Sequence, residues 1–298
     1  TAVTVGNFDG VHRGHQALVS AAVARARETG GLSVALTFDP HPARLLQPDR
    51  APAALNTLSQ KEELLAGLGI DRLAVLPFDA SVAELSPEAF ARGVLREALG
   101  ARDVVVGESF RFGRRREGDA RRLADLGERL GFSVHALPVV LEQGSPVSSS
   151  RVRDELGQGN VSAARALLGR PYFVDARVVH GAGRGRTIGV PTANLAPDNE
   201  VLPAPGVYAG RCRLPGGEVR AAVVNLGYRP TFGGGHLALE AHLIGFAGDL
   251  YGAHLRLSFH ERLRDEQRFP GKDALVARVL EDVARARALL SGPAGDGV

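Results

Sequence analysis

The order of apolar and polar positions divides this chain into two halves with different periodicities. Up to about residue 168, short apolar runs alternate with segments whose apolar residues recur three and four positions apart. This alternation predicts strands followed by helices, and therefore a parallel sheet with helices on both faces. The predicted strands are Ala2–Val5, Leu32–Phe38, Arg72–Leu76, Asp103–Val106 and Val134–Pro138. The predicted helices lie near His15–Glu28, Gln60–Gly67, Pro87–Leu99 and Asp119–Leu130.

From residue 169 the chain consists of short runs rich in valine, tyrosine and leucine, separated by glycine and proline. This pattern is typical of a small antiparallel β-barrel. Its predicted strands are Tyr172–Val179, Gly206–Leu214, Glu218–Asn225, Leu237–Phe246 and His254–Phe259. A closing amphipathic segment, Lys272–Leu290, predicts a terminal helix. We therefore expect two domains, residues 1–168 and 169–298.

The sequence Gly-Asn-Phe-Asp-Gly-Val-His-Arg-Gly-His at residues 6–15 joins the first strand to the first helix. His12 and His15 are three residues apart, so they can share one face of the first helical turn. A helix N-terminus offers free N–H groups and a partial positive charge, which suit a phosphate. Glycines at 6, 10 and 14 permit a close backbone approach. The segment predicts a nucleotide triphosphate site, although the histidines could instead lie on a solvated helix end.

Composition restricts the class of protein. The net charge of the 298-residue chain is only +3, which argues against a large nucleic-acid surface. No apolar run is long enough to span a membrane, and no secretory leader is evident. The single cysteine, Cys212, fits a reducing cytoplasm and is interpreted as a passive strand residue. Because the chain lacks methionine and opens on a strand, we expect that residues before Thr1 are missing.

Lysine is almost absent, and neither Lys61 nor Lys272 belongs to a P-loop motif. Phosphate chemistry is therefore expected to depend on arginine, histidine, backbone amides or a metal ion. One arginine cluster could be interpreted as a nucleic-acid patch, but its glycine and acidic neighbours favour a loop near an anionic nucleotide or a solvated surface. Its members are Arg111, Arg114, Arg115, Arg116, Arg121 and Arg122.

The decapeptide resembles the His-x-Gly-His nucleotidyltransferase superfamily, in the form found in bacterial FAD synthetases. The resemblance extends to the segments 37–42, 106–113 and 148–153. It implies a Rossmann-like domain in which ATP reacts with FMN to give FAD and pyrophosphate. The catalytic residues implied are His12, His15 and Arg153; the ATP-binding residues are Gly6, Phe8, Asp9, Gly14, Ser149 and Ser150. His41 and Ser109 are implied flavin or nucleotide contacts, although Ser109 replaces the usual asparagine or aspartate.

The second half contains Pro-Thr-Ala-Asn at residues 191–194, after a glycine-rich loop. In an extended segment Thr192 and Asn194 point to the same side, and their oxygens suit Mg²⁺. They could equally form a turn by bonding to their own backbone. Glu240 lies in a predicted strand, where it could take a proton from an alcohol or be an idle surface residue.

The loop and Pro-Thr-Ala-Asn, together with the segments 206–208, 225–233, 239–242 and 249–252, resemble the riboflavin kinase family. The resemblance implies that Thr192 and Asn194 hold magnesium with ATP and that Glu240 activates the ribityl hydroxyl. It implies a nucleotide loop comprising Gly183, Gly185, Arg186, Gly189 and Pro191. Arg264 and Glu266 are implied flavin contacts, or else they cap or solvate the entrance of the last helix.

Together the two resemblances predict a cytoplasmic bifunctional enzyme that converts riboflavin to FMN and then FMN to FAD. Its cofactor is Mg²⁺ with ATP, and its partners are riboflavin, FMN and ATP, without nucleic acid or membrane; a homo-oligomer stays open. The rival interpretations are a nucleotidyltransferase acting on another phosphate or alcohol, a flavin-binding regulator without catalysis, and an RNA-binding protein.

Overall fold

The computed structural model describes residues 1–181, 189–229, 236–267 and 269–292. The chain forms two compact units, Thr1–Ser149 and Ser150–Val298. The first contains a five-stranded sheet in the order β3-β2-β1-β4-β7, with every adjacent pair parallel. Its strands are β1 Ala2–Val5, β2 Ser33–Asp39, β3 Arg72–Pro77, β4 Asp103–Gly107 and β7 Ser133–Leu137. Two small hairpins pair β5 Arg111–Phe112 with β6 Gly118–Asp119, and β8 Leu141–Glu142 with β9 Ser145–Pro146.

Helices cover both faces of this sheet. Val19, Val23 and Leu65 belong to one buried cluster, whereas Leu95 and Leu123 belong to another that includes Val3 and Val5 of β1. The helices of the first unit are α1 Arg13–Thr29, α2 Pro42–Leu46, α3 Leu58–Gly67, α4 Ala80–Ala83, α5 Pro87–Ala89 and α6 Ala120–Leu130.

A single helix was predicted over 87–99. Instead α5 continues as a π-helix, Phe90–Ala98, and the backbone N–H of the following residue, Leu99, donates to Val94 C=O (3.1 Å).

The second unit contains a closed barrel in the order β10-β11-β14-β13-β12-β15, with antiparallel neighbours. Its strands are β10 Tyr172–Val179, β11 Ala193–Pro197, β12 Gly206–Arg213, β13 Val219–Arg229, β14 His236–Leu243 and β15 His254–Arg264. The terminal helix α9, Lys272–Leu289, packs on β12 and β13. The predicted fold class is therefore confirmed.

Strand β11 did not emerge from the apolar pattern, because Asn194 and Pro197 interrupt it. Two further helices, α7 Ser149–Gly157 and α8 Val161–Leu168, precede the barrel. Helix α8 packs against β10 and β15, so the compact unit begins earlier than the boundary predicted at residue 168. That functional boundary stays a prediction. Among the described residues, no helix combines the length and apolar character needed to cross a membrane.

Candidate active sites

The glycine-rich turn after β1 lies at the carboxyl edge of the parallel sheet, the edge where ligands bind in such folds. Gly6 N–H donates to Leu36 C=O of β2 (3.0 Å), so the turn begins as a continuation of the sheet. Phe8 and Val11 then take positive φ angles of 47° and 42°, and both side chains are buried. For a β-branched valine this is a strained conformation, which surrounding packing must maintain.

This turn delivers His12 to the N-cap of α1. His12 Nδ1 accepts from the backbone N–H of His15 (3.3 Å), and the two imidazoles stack with ring centroids 3.6 Å apart. A Cβ at Gly14 would come within 3.1 Å of the His12 ring, so glycine permits this close approach. The structure thus brings the two predicted histidines together.

His15 is partly exposed as a residue, but its ring lies between His12 and Phe8, whose ring centroid is 5.4 Å away. Burial, with smaller contributions from the charges of His12 and Lys61, lowers the pKa of His15 well below its usual value. Its buried Nδ1 has no hydrogen-bond partner among the residues that the structure describes. At neutral pH this imidazole is therefore uncharged, and it can offer a substrate a hydrogen bond but no full positive charge.

Three other predicted residues are held near the same turn. Asn7 Nδ2 and His41 Nε2 are 3.0 Å apart, and Asp9 accepts from the backbone N–H of Leu55 (2.9 Å). Ser149 Oγ donates to the backbone C=O of Asp9 (2.8 Å). These bonds order the turn.

Lys61 lies beside this turn, although it belongs to no P-loop motif. Its Nζ lies 3.4 Å from Thr37 Oγ1, and Thr37 Oγ1 in turn donates to Asn7 C=O (3.2 Å). Its charge contributes to the pKa shift of His15. The sequence offered no local signal for this contact, because Thr37 lies on β2 and Lys61 on α3, 24 positions later.

The remaining residues predicted for this site are exposed or half-buried. Ser109 is exposed, two residues beyond the end of β4, and Ser150 is exposed at the start of α7. Arg153 lies half-buried on α7, in the second compact unit. Their roles stay predictions.

In the barrel, three polar side chains form one row across neighbouring strands. Asn194 on β11 is the register partner of Glu240 on β14, and Glu240 is also the partner of Asn225 on β13. Directly opposite residues in an antiparallel ladder point to the same side of the sheet. The flanking Leu195 and Leu239 are buried, so the polar row occupies the other face. Asn225 was not predicted as a site residue.

Two further contacts surround this row. A Cβ at Gly181 would collide with the Asn194 side chain, so glycine lets the chain before the loop approach it. His242 Nδ1 lies 2.8 Å from the carbonyl oxygen of Pro191, which fixes the segment that carries Thr192. Thr192 and Asn194 are both half-exposed.

These residues fit the magnesium expected from the sequence. Among the described residues, no group of three or more histidine, cysteine, aspartate or glutamate side chains could hold a metal ion. The hydroxyl of Thr192 and the amide oxygen of Asn194 are hard oxygen ligands of the kind that suits Mg²⁺, with phosphate and water completing the shell. Magnesium binding by these two residues stays a prediction. Of the predicted nucleotide loop, Gly183, Gly185 and Arg186 lie outside the described residues, whereas Gly189 has a positive φ of 79°.

The two predicted flavin contacts differ in their surroundings. Arg264 forms a buried ion pair with Asp282 of α9 (Nη2 to Oδ2, 2.8 Å), and its guanidinium also lies 5.6 Å from the Phe269 ring centroid. Glu266 is exposed, and a Cβ at Gly227 would collide with its carboxylate. Arg264 thus links β15 to α9, while a flavin contact by either residue stays a prediction.

Comparisons with known proteins agree with this division. The family model described as FAD synthetase matches residues 1–151, and the model described as riboflavin kinase matches residues 168–290. A bifunctional riboflavin kinase/FMN adenylyltransferase from Escherichia coli (strain K12) is 39% identical over 96% of this chain and 91% of the relative. One from Pseudomonas fluorescens is 41% identical over 96% of this chain and 92% of the relative.

A solved structure named macrolide-efflux protein, from Streptococcus pneumoniae, superposes with a TM-score of 0.89 and 32% identity. It covers 96% of this chain and 93% of that one, so the fold is shared over nearly the full length. The relatives and the two family models confirm the resemblance drawn from the sequence, in the predicted domain order. The chain belongs to the bifunctional riboflavin kinase/FMN adenylyltransferase family.

Proposed function

We propose that this chain makes FAD from riboflavin in two ATP-dependent steps. Residues 169–298 phosphorylate riboflavin to FMN, and residues 1–168 join FMN to the AMP part of ATP. One observation carries this proposal: each compact unit holds its own set of side chains suited to bind or transfer phosphate groups. The first has the stacked His12–His15 pair, and the second has Asn194 opposite Glu240.

In the adenylyltransferase step, an FMN phosphate oxygen attacks the α-phosphorus of ATP and pyrophosphate leaves. No covalent nucleophile is required, so catalysis consists of alignment and stabilisation of the developing charge. We assign the His12 and His15 imidazoles to the triphosphate as hydrogen-bond donors. Arg153, Ser149 and Ser150 assist them, and Gly6, Phe8, Asp9 and Gly14 shape the turn. His41 and Ser109 are assigned to flavin or nucleotide contacts.

In the kinase step, the Glu240 carboxylate takes the proton of the ribityl hydroxyl while that oxygen bonds to the γ-phosphorus and ADP leaves. Thr192 and Asn194 would hold Mg²⁺ with the nucleotide. When bound, this ion neutralises phosphate charge during transfer. The loop comprising Gly183, Gly185, Arg186, Gly189 and Pro191 is assigned to ATP, and Arg264 and Glu266 to flavin. Support comes from the register that pairs Asn194 with Glu240.

We also propose that the enzyme acts in the cytoplasm on small molecules alone. The single cysteine of the chain is compatible with a reducing compartment. The low net charge supports a small-molecule enzyme over a nucleic-acid binder.

The decisive experiment incubates the full chain with riboflavin, ATP and Mg²⁺ and separates riboflavin, FMN and FAD over time. We expect FMN to appear first and FAD to follow, with ADP and pyrophosphate as the other products. Flavin binding without ATP consumption would instead identify a regulator. A nucleotidyltransferase of another specificity would leave riboflavin and FMN unchanged.

A further inference from the structure

Lys61 occupies a position that is electrostatically unfavourable for the fold. It lies in the first turn of α3, which begins at Leu58 and carries a complete capping box at Thr57. The N-terminal end of a helix carries partial positive charge, which disfavours a cation there. Lys61 is also half-buried, and burial lowers its pKa, while the carboxylates of Asp9 and Asp39 oppose that shift. A lysine placed at such a cost suggests a functional charge.

The surroundings of Lys61 connect it to the nucleotide turn. Thr37, which is fully buried, lies 3.4 Å from Lys61 Nζ and donates to the carbonyl oxygen of Asn7. Asn7 precedes Phe8 in the turn and contacts His41. The ammonium is therefore tied to the same carboxyl edge as the histidine pair, where its charge affects His15.

The chemistry assigned to this edge requires more positive charge than the neutral His15 ring supplies. A triphosphate carries several negative charges, and more charge develops on the β-phosphate as the bond to the α-phosphorus breaks. The buried His15 ring is neutral and contributes only a hydrogen bond. A preorganised ammonium beside it would stabilise the departing anion.

We propose that the Lys61 ammonium binds the β- and γ-phosphates of ATP in the N-terminal site and stabilises the departing pyrophosphate. This inference rests on the proposed adenylyltransferase function of that site. In the step, the bond from the FMN phosphate oxygen to the α-phosphorus forms while the bridge from α to β breaks. The electron pair leaves with pyrophosphate. Lys61 transfers no proton; it acts as a fixed charge.

The competing role for Lys61 is purely structural, as the counter-ion of Asp9 and Asp39. Substitution would then reduce stability without affecting phosphate affinity. Two readouts separate these roles. Pyrophosphate is a product of adenylylation and not of riboflavin phosphorylation, so its inhibition of FAD formation reports on the N-terminal site. Riboflavin phosphorylation by the same chain serves as an internal activity control.

The experiment compares the full chain with Lys61→Gln, Lys61→Arg and Arg72→Gln. Arg72 is an exposed cation at the amino end of β3, so its substitution removes the same charge from the opposite edge of the sheet. For each protein one measures the KM of ATP and of FMN in FAD formation, the inhibition constant of pyrophosphate, riboflavin phosphorylation and the Tm. Titration calorimetry with magnesium pyrophosphate adds a binding measurement that needs no turnover.

For Lys61→Gln we expect the inhibition constant of pyrophosphate and the KM of ATP to rise about 10- to 100-fold, the loss typical of one charged hydrogen bond. Lys61→Arg should recover part of this loss, and Arg72→Gln and riboflavin phosphorylation should be unchanged. Unchanged pyrophosphate inhibition in Lys61→Gln, with or without a lower Tm, would overturn the proposal, as would an effect confined to the KM of FMN. If the unsubstituted chain forms no FAD, the proposed function itself fails.

Discussion

At the scale of single residues, burial decides which ionisable groups take part in chemistry. His15 lies against two aromatic rings and is neutral, so it can act only through hydrogen bonds. Glu240, on the half-exposed face of β14, faces Asn194 and Asn225 in the ladder. Two further residues, Cys212 and His260, illustrate the same effect outside the sites and give direct tests.

Cys212 should be inert in the folded protein. It is fully buried on β12, and burial raises the pKa of its thiol to about 12, so almost no reactive thiolate exists near neutral pH. We expect iodoacetamide to leave the native chain unlabelled at pH 8 and to modify it fully in urea, as measured by intact mass. Rapid labelling of the native chain would show that β12 opens.

His260 should make the folded state sensitive to mild acid. Burial, aided by Arg211 and Arg165, lowers its pKa from 6.5 to about 4. The unfolded chain therefore binds more protons between these values, and stability falls as the pH decreases from 6.5 towards 4. We expect the urea midpoint, followed by circular dichroism, to fall less over this range in His260→Gln than in the unsubstituted chain. An equal fall in both would contradict the assignment.

At the scale of elements, the N-terminal turns of helices α1 and α3 position side chains of the N-terminal site. The turn before α1 takes positive φ angles at two buried residues so that His12 can cap the helix. The capping box of α3 pairs Thr57 with Gln60 in both directions (3.1 and 3.2 Å) and fixes the turn that carries Lys61. At α1 the capping residue is itself a predicted site residue, and at α3 the cap fixes the turn from which the Lys61 side chain extends.

Loss of the α3 cap should therefore be measurable. Thr57→Ala removes the hydroxyl that accepts from Gln60 N–H, and we expect a loss of about 1 kcal/mol in unfolding free energy. Thr57→Ser keeps the hydroxyl and serves as the matched control. Urea unfolding of both variants checks this; equal stability of Thr57→Ala and the unsubstituted chain would mean that the cap contributes nothing.

At the scale of the whole molecule, the stacked His12–His15 pair belongs to one compact unit and the Asn194–Glu240 pair to the other. The two activities should therefore be separable by substitution. We expect His15→Ala to lower FAD formation from FMN about 100- to 1,000-fold, the usual cost of removing one transition-state donor, while FMN formation continues. Glu240→Ala should lower riboflavin phosphorylation about 100- to 10,000-fold, as expected for a general base, and spare adenylylation of supplied FMN.

Separate assays with riboflavin and with FMN measure these effects. Equal loss of both activities in either variant would contradict the assignment of one site to each unit. The comparison also tests Glu240 itself, because retained kinase turnover in Glu240→Ala would remove this carboxylate from the mechanism.

Local sequence patterns were sufficient to predict many of the secondary-structure elements, the histidine pair and the family of this protein. Apolar patterning located the five parallel strands and the helices α1, α3, α6 and α9 to within a few residues, because the strands are short apolar runs and each of these helices buries one face. The spacing of His12 and His15 placed both on one helical turn, since that depends only on helix geometry. The two motif sets predicted the family and the domain order, which the comparisons confirmed.

Tertiary structure decided the rest. Strand β11 has too few apolar residues to be recognised alone, yet barrel closure pairs it with β14 and so sets Asn194 opposite Glu240. Lys61 carries no motif, and only the packing of α3 on the sheet, where Leu65 shares a buried cluster with Ala35, brings its ammonium to Thr37. The neutral state of His15 likewise follows from the rings around it. Register, burial and charge environment depend on residues distant in sequence, so no local pattern contains them.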